Sequence, residues 1–135
     1  MIVTLDVSAA LELIMGRKRQ FEIKEKLEEA DWIISPTLFI YEATNVMWKY
    51  HSLENLPQKE LSRKLDYSLK LIDRFIYPED IYHEAFSLAA EIDHPAYDAV
   101  YLTVTGEKKS TLLTLDEKLI SAAEDIGLPV FNIEK

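Results

Sequence analysis

Four carboxylates interrupt otherwise uncharged segments of this chain, and they are the residues most suited to chemistry. Asp6, Glu42 and Asp98 are each the only charged residue in their segment, and Asp116 directly follows an uncharged run. The segments are residues 1–11, 35–48, 95–106 and 110–115. An ionised carboxylate in an apolar segment is costly unless something neutralises it. The pattern therefore predicts a common neutralising partner.

A divalent cation bound by all four acids would be such a partner. Carboxylate oxygens favour a hard ion such as Mg²⁺ or Mn²⁺. An ion of this kind activates water for attack on phosphorus and stabilises the departing oxygen. We therefore predict that Asp6, Glu42, Asp98 and Asp116 are metal ligands and catalytic residues, and that phosphodiester hydrolysis is the reaction they suit best.

Length and composition are typical of one globular domain spanning residues 1–135. Of the 135 residues, 48% are hydrophobic and 29% charged, and there is no cysteine. The absence of cysteine excludes thiolate metal sites, and the three histidines lack the His-x-x-x-His spacing typical of zinc sites. The sequence has neither a signal peptide nor an apolar run long enough to cross a membrane, so we expect a cytoplasmic protein.

The net charge of −9 argues against broad electrostatic attraction to nucleic acid. It leaves room for a local basic patch, although a solvated surface is the more common role of such residues. The candidates are Arg17, Lys18 and Arg19, together with Lys49, Lys108 and Lys109.

Strand and helix patterns alternate along the chain. Strands are predicted at 2–5, 32–35, 76–77, 111–115 and 129–133. Helices are predicted at 8–16, with Ser8 as N-cap, and at 18–30, 36–50, 57–75, 79–92, 95–106 and 117–126. Ser35-Pro36 is expected to open the third helix. This alternation predicts an α/β fold with a mostly parallel sheet covered on both faces.

This fold would bring the four acids to one edge of the sheet. Sites in parallel α/β sheets form at the carboxyl ends of the strands. Asp6 and Asp116 directly follow predicted strands, while Glu42 and Asp98 lie on helices that begin at the same edge. Asp6 and Asp116 have an ordinary alternative role as helix caps, and Asp98 as a helix N-terminal charge. Glu42 has no capping role.

Three polar residues are candidates for orienting a substrate. Ser8 and Thr114 lie near Asp6 and Asp116 in sequence and could orient waters or the scissile phosphate. Asn45 lies one helical turn after Glu42 and could hydrogen-bond a ligand. A purely structural role is the alternative for all three.

The segments around these acids resemble the PIN-domain family, and most closely the VapC toxin ribonucleases of VapBC toxin–antitoxin systems. The matching segments are IVTLDVSAAL (2–11), SPTLFIYEATNVM (35–47), HPAYDAVYLTVT (94–105) and LLTLDEKL (112–119). The resemblance implies a three-layer α/β/α sandwich and an endoribonuclease dependent on Mg²⁺ or Mn²⁺. It also implies a homodimer and a cognate antitoxin that inserts a segment near the active site.

Other functions fit the sequence less well. A catalytically silent PIN-like module that binds RNA or protein would have little reason to keep Glu42 in an apolar stripe. A DNA-directed nuclease remains an open alternative. A phosphoacceptor receiver domain and a haloacid-dehalogenase-type phosphatase both require acids that are missing near Asp6, and dinucleotide binding requires a Gly-rich loop. The long helical stretch 36–75 predicts a projecting helical hairpin for dimer or partner contacts.

Overall fold

A computed structural model describes residues 1–134, so position 135 of the predicted domain lies outside the described residues. The strands are β1 (Ile2–Leu5), β2 (Trp32–Pro36), β3 (Arg74–Ile76) and β4 (Thr111–Leu113). The helices are α1 (Val7–Ile14), α2 (Gln20–Glu29), α3 (Leu38–Glu54), α4 (Gln58–Lys70), α5 (Tyr82–Ile92), α6 (Ala96–Glu107) and α7 (Glu117–Asp125), with a 3₁₀ turn at Pro78–Asp80.

The sheet is parallel, with the strand order β3-β2-β1-β4. Strand β1 is central and pairs with both β2 and β4. Because every strand runs in the same direction, all of their carboxyl ends lie along one edge. Asp6 follows β1 at this edge, which we call the carboxyl edge of the sheet.

Alternate residues of the strands supply two separate cores. Val3, Leu5 and Leu113 pack with helices α1 to α4 in one core. Leu112 packs with α6 and α7 on the opposite face, and Ile34 packs there with α6 and with Ile81, which precedes α5. Successive side chains of a strand point to opposite faces, so these two cores define two helical layers. The predicted α/β/α sandwich is confirmed.

Two predicted boundaries are wrong at the start of helices. Pro36 is the last residue of β2, so Ser35-Pro36 does not open α3; Thr37 is the N-cap. The Thr37 amide donates to the Ile76 carbonyl at 3.0 Å, which continues the pairing with β3 beyond Pro36. At α1, the N-cap is Asp6 rather than Ser8.

The predicted last strand at 129–133 is also wrong. Only an isolated bridge joins Leu112 and Val130 there. Two backbone hydrogen bonds hold it, from Leu112 to the Pro129 carbonyl at 2.9 Å and from Phe131 to the Leu112 carbonyl at 3.0 Å. Pro129 has no amide hydrogen to donate, which limits further pairing at that end.

The predicted helical hairpin is formed by α3 and α4, but it does not stand free of the domain. Helix α4 contacts α1, and Leu61 is buried in the core shared by these helices. The connection around 51–60 is exposed. In residues 1–134, no helix combines the length and apolarity needed to cross a membrane.

The larger core should be sensitive to the loss of Phe39. This ring is fully buried, whereas the Phe21 ring on α2 is 75% exposed. We expect Phe39→Ala to lower the free energy of unfolding by about 3–5 kcal/mol, because it removes buried contacts and leaves a cavity. Phe21→Ala, the matched control, should change it by about 0.5 kcal/mol or less. Urea unfolding of both variants measures this, and equal losses would contradict the assigned core.

Candidate active site

Asp6 lies at the centre of a compact hydrogen-bond network at the carboxyl edge. Its Oδ1 accepts from the Ser8 hydroxyl at 2.7 Å and from the Ala9 amide at 3.1 Å. Its Oδ2 accepts from the Thr114 hydroxyl at 2.6 Å. Ser8 and Thr114 also accept from the backbone amides of Leu115 and Asp116, at 2.9 and 3.0 Å. The network therefore links the end of β1 to the segment that follows β4.

Burial dominates the electrostatics of Asp6. It raises the pKa of the Asp6 carboxyl from 3.8 to about 6, and the negative charge of Asp116 adds to this effect. The hydrogen bonds from Thr114, Ser8 and Ala9 oppose the shift without cancelling it. Desolvation penalises the ionised form. Asp6 is thus a buried carboxylate with abundant donors but no cationic partner within residues 1–134.

Glu42 is partly buried in the second turn of α3 and faces α6. The Tyr101 hydroxyl donates to Glu42 Oε1 at 2.7 Å. Burial raises the pKa of Glu42, the Tyr101 hydrogen bond opposes this, and the charges of Asp98 and Asp116 raise it further. Burial likewise raises the pKa of Tyr101 well above its usual 10, and the charges of Glu42 and Asp6 add to this shift. Tyr101 therefore stays protonated and able to donate.

Asp98 lies in the first turn of α6 with two basic side chains near it. His94 Nδ1 is 3.8 Å and Lys118 Nζ is 4.0 Å from Asp98 Oδ2. Both distances exceed that of a hydrogen bond. His94 Nδ1 is buried and has no hydrogen-bond partner among the described residues. Within residues 1–134, Asp98 is consequently the one predicted ligand with basic side chains within ion-pair range.

Asp116 is the N-cap of α7. Its Oδ1 accepts from the backbone amides of Lys118 and Leu119, at 3.0 and 3.4 Å. The side chain is more exposed than that of Asp6. Asp6 caps α1 in the same way. The two capping acids therefore place negative charge at the positive ends of two helices that start from the carboxyl edge.

The four predicted acids come within electrostatic range of one another. Asp116 acts on both Asp6 and Glu42, and Asp98 acts on Glu42. Among residues 1–134, however, no group of three acidic or histidine side chains is arranged to hold a metal ion directly. Ser8 and Thr114 join this cluster through Asp6. Asn45 is exposed on α3, and none of the described side-chain hydrogen bonds involves it.

The donor set fits a hard divalent cation. It consists of carboxylate oxygens, at least two of which are buried enough to raise their pKa values. In residues 1–134, neither lysine nor arginine pairs with Asp6, Glu42 or Asp116. Mg²⁺ usually keeps several waters and binds through only one or two carboxylates, so it does not require a closed cage. We call these four acids the acidic cluster.

Sequence reasoning did not assign roles to three residues of this region. Tyr101 lies three residues after Asp98 on α6, and nothing in the sequence pairs it with Glu42. Lys118 follows Asp116 by two residues, which places its side chain at the same edge once α7 begins there. His94 precedes Asp98 by four residues, and this i,i+4 spacing was the available signal.

Comparison with known proteins decides the family. The model of the PIN domain family matches residues 3–125. The chain belongs to the PIN domain family. The match runs from the second residue of β1 to the end of α7 and includes all four members of the acidic cluster, so the resemblance seen in the sequence is confirmed.

Individual relatives agree with this assignment. This PIN domain is 28% identical over 122 residues to ribonuclease VapC3 of Pyrobaculum aerophilum, covering 88% of this chain and 92% of that protein. The fold matches the crystal structure of PAE2754 from Pyrobaculum aerophilum with a TM-score of 0.74, 23% identity, and coverage of 96% and 83% of the two chains. It also matches the crystal structure of VapBC2 from Rickettsia felis bound to a DNA fragment from its promoter. The TM-score is 0.71 and the identity 17%, and the match covers 99% of this chain and 100% of that chain.

The buried Asp6 should make the metal-free protein less stable as the pH rises. The pKa of Asp6 is 3.8 in the unfolded chain and about 6 in the folded protein. The contribution of protonated Asp6 to the free energy of unfolding is therefore fully present below pH 3.8 and is lost as the pH rises through 6. This difference corresponds to about 3 kcal/mol. Asn mimics the protonated acid, so Asp6→Asn should raise the free energy of unfolding by up to about 3 kcal/mol at pH 7.5 and change it little at pH 4.

Urea unfolding in EDTA at the two pH values measures this difference. Asp66→Asn, which changes an exposed aspartate on α4, is the control and should show no comparable gain. A pH-independent effect of Asp6→Asn would contradict the assigned burial of this carboxylate.

Proposed function

We propose that this PIN domain is a metal-dependent endoribonuclease that hydrolyses RNA phosphodiester bonds, and that it is the toxin of a VapBC pair. The observation that carries the proposal is the acidic cluster, in which three of four carboxylates lack a lysine or arginine partner within residues 1–134. Similarity to ribonuclease VapC3 supports RNA as the substrate.

In this proposal, Asp6, Asp98 and Asp116 hold Mg²⁺ or Mn²⁺, and Glu42 holds it directly or through water. The ion supplies Lewis-acid activation of a water molecule and stabilises negative charge on the phosphate. The protein contributes the position of its carboxylates. Two of them are fixed as helix caps, and Glu42 is fixed by the Tyr101 hydroxyl.

Ser8 and Thr114 are best assigned as positioning residues. Each hydroxyl has one proton to donate, and each donates it to Asp6, which fixes both oxygens of that carboxylate. Residues that orient a metal ligand commonly change metal affinity by about 10–100-fold when removed. The predicted role of Asn45 in orienting substrate remains a prediction, which its exposure on α3 permits.

The proposed partners follow from the same assignment. A cognate antitoxin is supported by the fold shared with the VapBC2 complex of Rickettsia felis. A VapBC toxin acts on cellular RNA, so we also propose a cytoplasmic location. A catalytically silent RNA-binding module is the alternative, and a cleavage assay separates the two.

Replacing Asp98 should remove cleavage. We expect Asp98→Asn to lower the rate of RNA cleavage in Mn²⁺ or Mg²⁺ by at least about 100-fold, because it weakens a direct ligand of the ion. Asp93→Asn is the matched control. Asp93 is exposed and has a φ of 54°, a conformation that asparagine tolerates. Gel analysis of labelled single-stranded RNA and DNA measures both variants.

Excess EDTA should abolish cleavage by the unmodified protein. Equal rates for Asp98→Asn and Asp93→Asn, or cleavage that persists in EDTA, would refute the metal-dependent mechanism. Faster cleavage of DNA than of RNA would refute the assigned substrate.

A homodimer is the second part of the proposed assembly. The cavity of about 230 Å³ beside the N-terminus of α3 is lined in part by Tyr41, Tyr82 and Tyr97. These side chains are 75%, 58% and 68% exposed, and Phe86, one turn beyond Tyr82, is 71% exposed. We call these four side chains the aromatic face. Together they expose roughly 500 Å² of surface, a large part of the area that one partner contributes to a stable interface.

The aromatic face only partly matches the predicted dimer surface, residues 36–75. Tyr41 lies in that range, whereas Tyr82, Phe86 and Tyr97 lie beyond it. The hairpin of α3 and α4 has its own exposed apolar residues, including Trp48 and Leu53. We assign the aromatic face to the dimer because three of its four rings line one cavity and the fourth lies one helical turn away. The hairpin surface is then available to other partners.

A charge on the aromatic face should therefore dissociate the dimer. We expect Phe86→Glu to be a monomer at concentrations where the unmodified protein is a dimer, since the interface would bury an unpaired carboxylate. Trp48→Glu places the same charge on the hairpin and should remain dimeric. Multi-angle light scattering measures both masses. A monomeric Trp48→Glu with a dimeric Phe86→Glu would place the interface on residues 36–75 instead. A monomeric unmodified protein would refute the dimer.

A further inference from the structure

A cavity between α1 and α3 leads away from the acidic cluster. It has a volume of about 360 Å³; Ser8 and Leu115 line one end, and Arg17 and Tyr50 line the other. Ser8 donates to Asp6, and Leu115 directly precedes Asp116. Two residues of the cavity wall are therefore directly linked to members of the acidic cluster, one by a hydrogen bond and one by the chain.

The helices that form the walls give the direction and length of this cavity. Glu42, Val46 and Tyr50 are spaced four residues apart on α3, so they lie along one stripe of that helix. Eight residues of α-helix span about 12 Å. The Cα atoms of Glu42 and Tyr50 are therefore about 12 Å apart along the axis of α3.

A cation is fixed at the far end of the cavity. The Arg17 guanidinium donates to the Tyr50 hydroxyl, and its central carbon lies 5.1 Å from the centroid of the Tyr50 ring. None of the ion pairs in residues 1–134 involves Arg17. The neighbouring Arg19, by contrast, contacts Glu12 at 3.2 Å. Two arginines and one glutamate line the cavity, which leaves one positive charge in excess.

The rest of the wall is apolar. Val7, Leu11, Val46 and Leu115 line the space between the hydroxyl of Ser8 and the guanidinium of Arg17. An apolar wall beside a guanidinium suits a nucleotide, whose base has flat apolar faces and whose phosphate is anionic. Arginine is well suited to phosphate because its planar donors match two phosphate oxygens.

We propose that this cavity binds a nucleotide of the RNA strand next to the cleavage site, with Arg17 on its phosphate. The proposal rests on the proposed ribonuclease function. It assigns to Arg17 a contact by which a protein of net charge −9 binds the phosphates of RNA. A basic peptide segment would meet an unpaired arginine here, so the charge of the cavity favours RNA over such a segment.

Binding of RNA by charge variants tests the proposal. The full chain carries Asp98→Asn to suppress cleavage, and fluorescence anisotropy of a short, labelled single-stranded RNA of mixed sequence gives Kd over a range of salt concentrations. Arg17→Gln should weaken binding roughly tenfold and reduce the slope of log K against log salt by about 0.7. Lys18→Gln removes the same charge from the adjacent exposed residue and should change Kd by less than about twofold.

Two further variants separate binding from structure. Arg17→Lys keeps the charge but loses the planar donors, so it should bind with an intermediate Kd and the unmodified salt slope. Tyr50→Phe removes the hydroxyl that holds Arg17 and should weaken binding with no change in the salt slope. Thermal unfolding of each variant checks the fold. Equal Kd values and slopes for Arg17→Gln and Lys18→Gln would overturn the proposal.

The outcomes also distinguish this proposal from the function on which it rests. If RNA binding depends on Arg17 but the unmodified protein does not cleave, the nucleotide site stands and the ribonuclease assignment fails. If the protein cleaves RNA while Arg17→Gln leaves KM and kcat unchanged, the ribonuclease stands and this site is refuted. If Arg17→Gln loses binding of the cognate antitoxin but binds RNA as well as the unmodified protein does, the cavity belongs to a protein partner and the proposal is overturned.

Discussion

The cost of gathering negative charge at one edge of a parallel sheet shapes this protein more than any other interaction. The carboxyl ends of all four strands lie at that edge, and two helices with aspartate N-caps begin there. Burial raises the pKa of Asp6 to about 6, and burial together with the charges of Asp98 and Asp116 raises the pKa of Glu42. A bound cation would offset the cost of keeping such a cluster ionised near neutral pH. The proposed metal chemistry is the direct consequence of this electrostatic strain.

The two aspartates that cap helices are also proposed metal ligands. At the sequence level, capping was the ordinary alternative to a catalytic role for Asp6 and Asp116. The structure shows that both acids do cap helices, through the amides of Ala9 and of Lys118 and Leu119. Capping uses one oxygen of each carboxylate and fixes its direction. The capping interpretation is therefore confirmed, and it leaves the second oxygen of Asp116 available to a ligand.

The sequence predicted those features that depend on local pattern. The run of apolar residues before Asp6 and before Asp116 defined strands, and parallel pairing then required both acids to share an edge. Features set by contacts between distant segments were not predictable in this way. The hydrogen bond from Tyr101 to Glu42 joins residues 59 positions apart. Pro36 illustrates the same limit, because pairing with β3 keeps it in a strand where its local sequence favours a helix start.

If the proposed ribonuclease function holds, the separation of charges on this protein accounts for the action of an acidic protein on an acidic polymer. The excess of negative charge is spread over the surface, where salt screens it within about 10 Å. Substrate contact requires only that the immediate surroundings of the scissile phosphate be neutral or positive. Lys118 lies beside Asp98, and Arg17 lies at the end of a cavity that begins at Ser8. With a divalent ion on the acidic cluster, these cations would form a positively charged path along the carboxyl edge, which the net charge of the whole chain does not reveal.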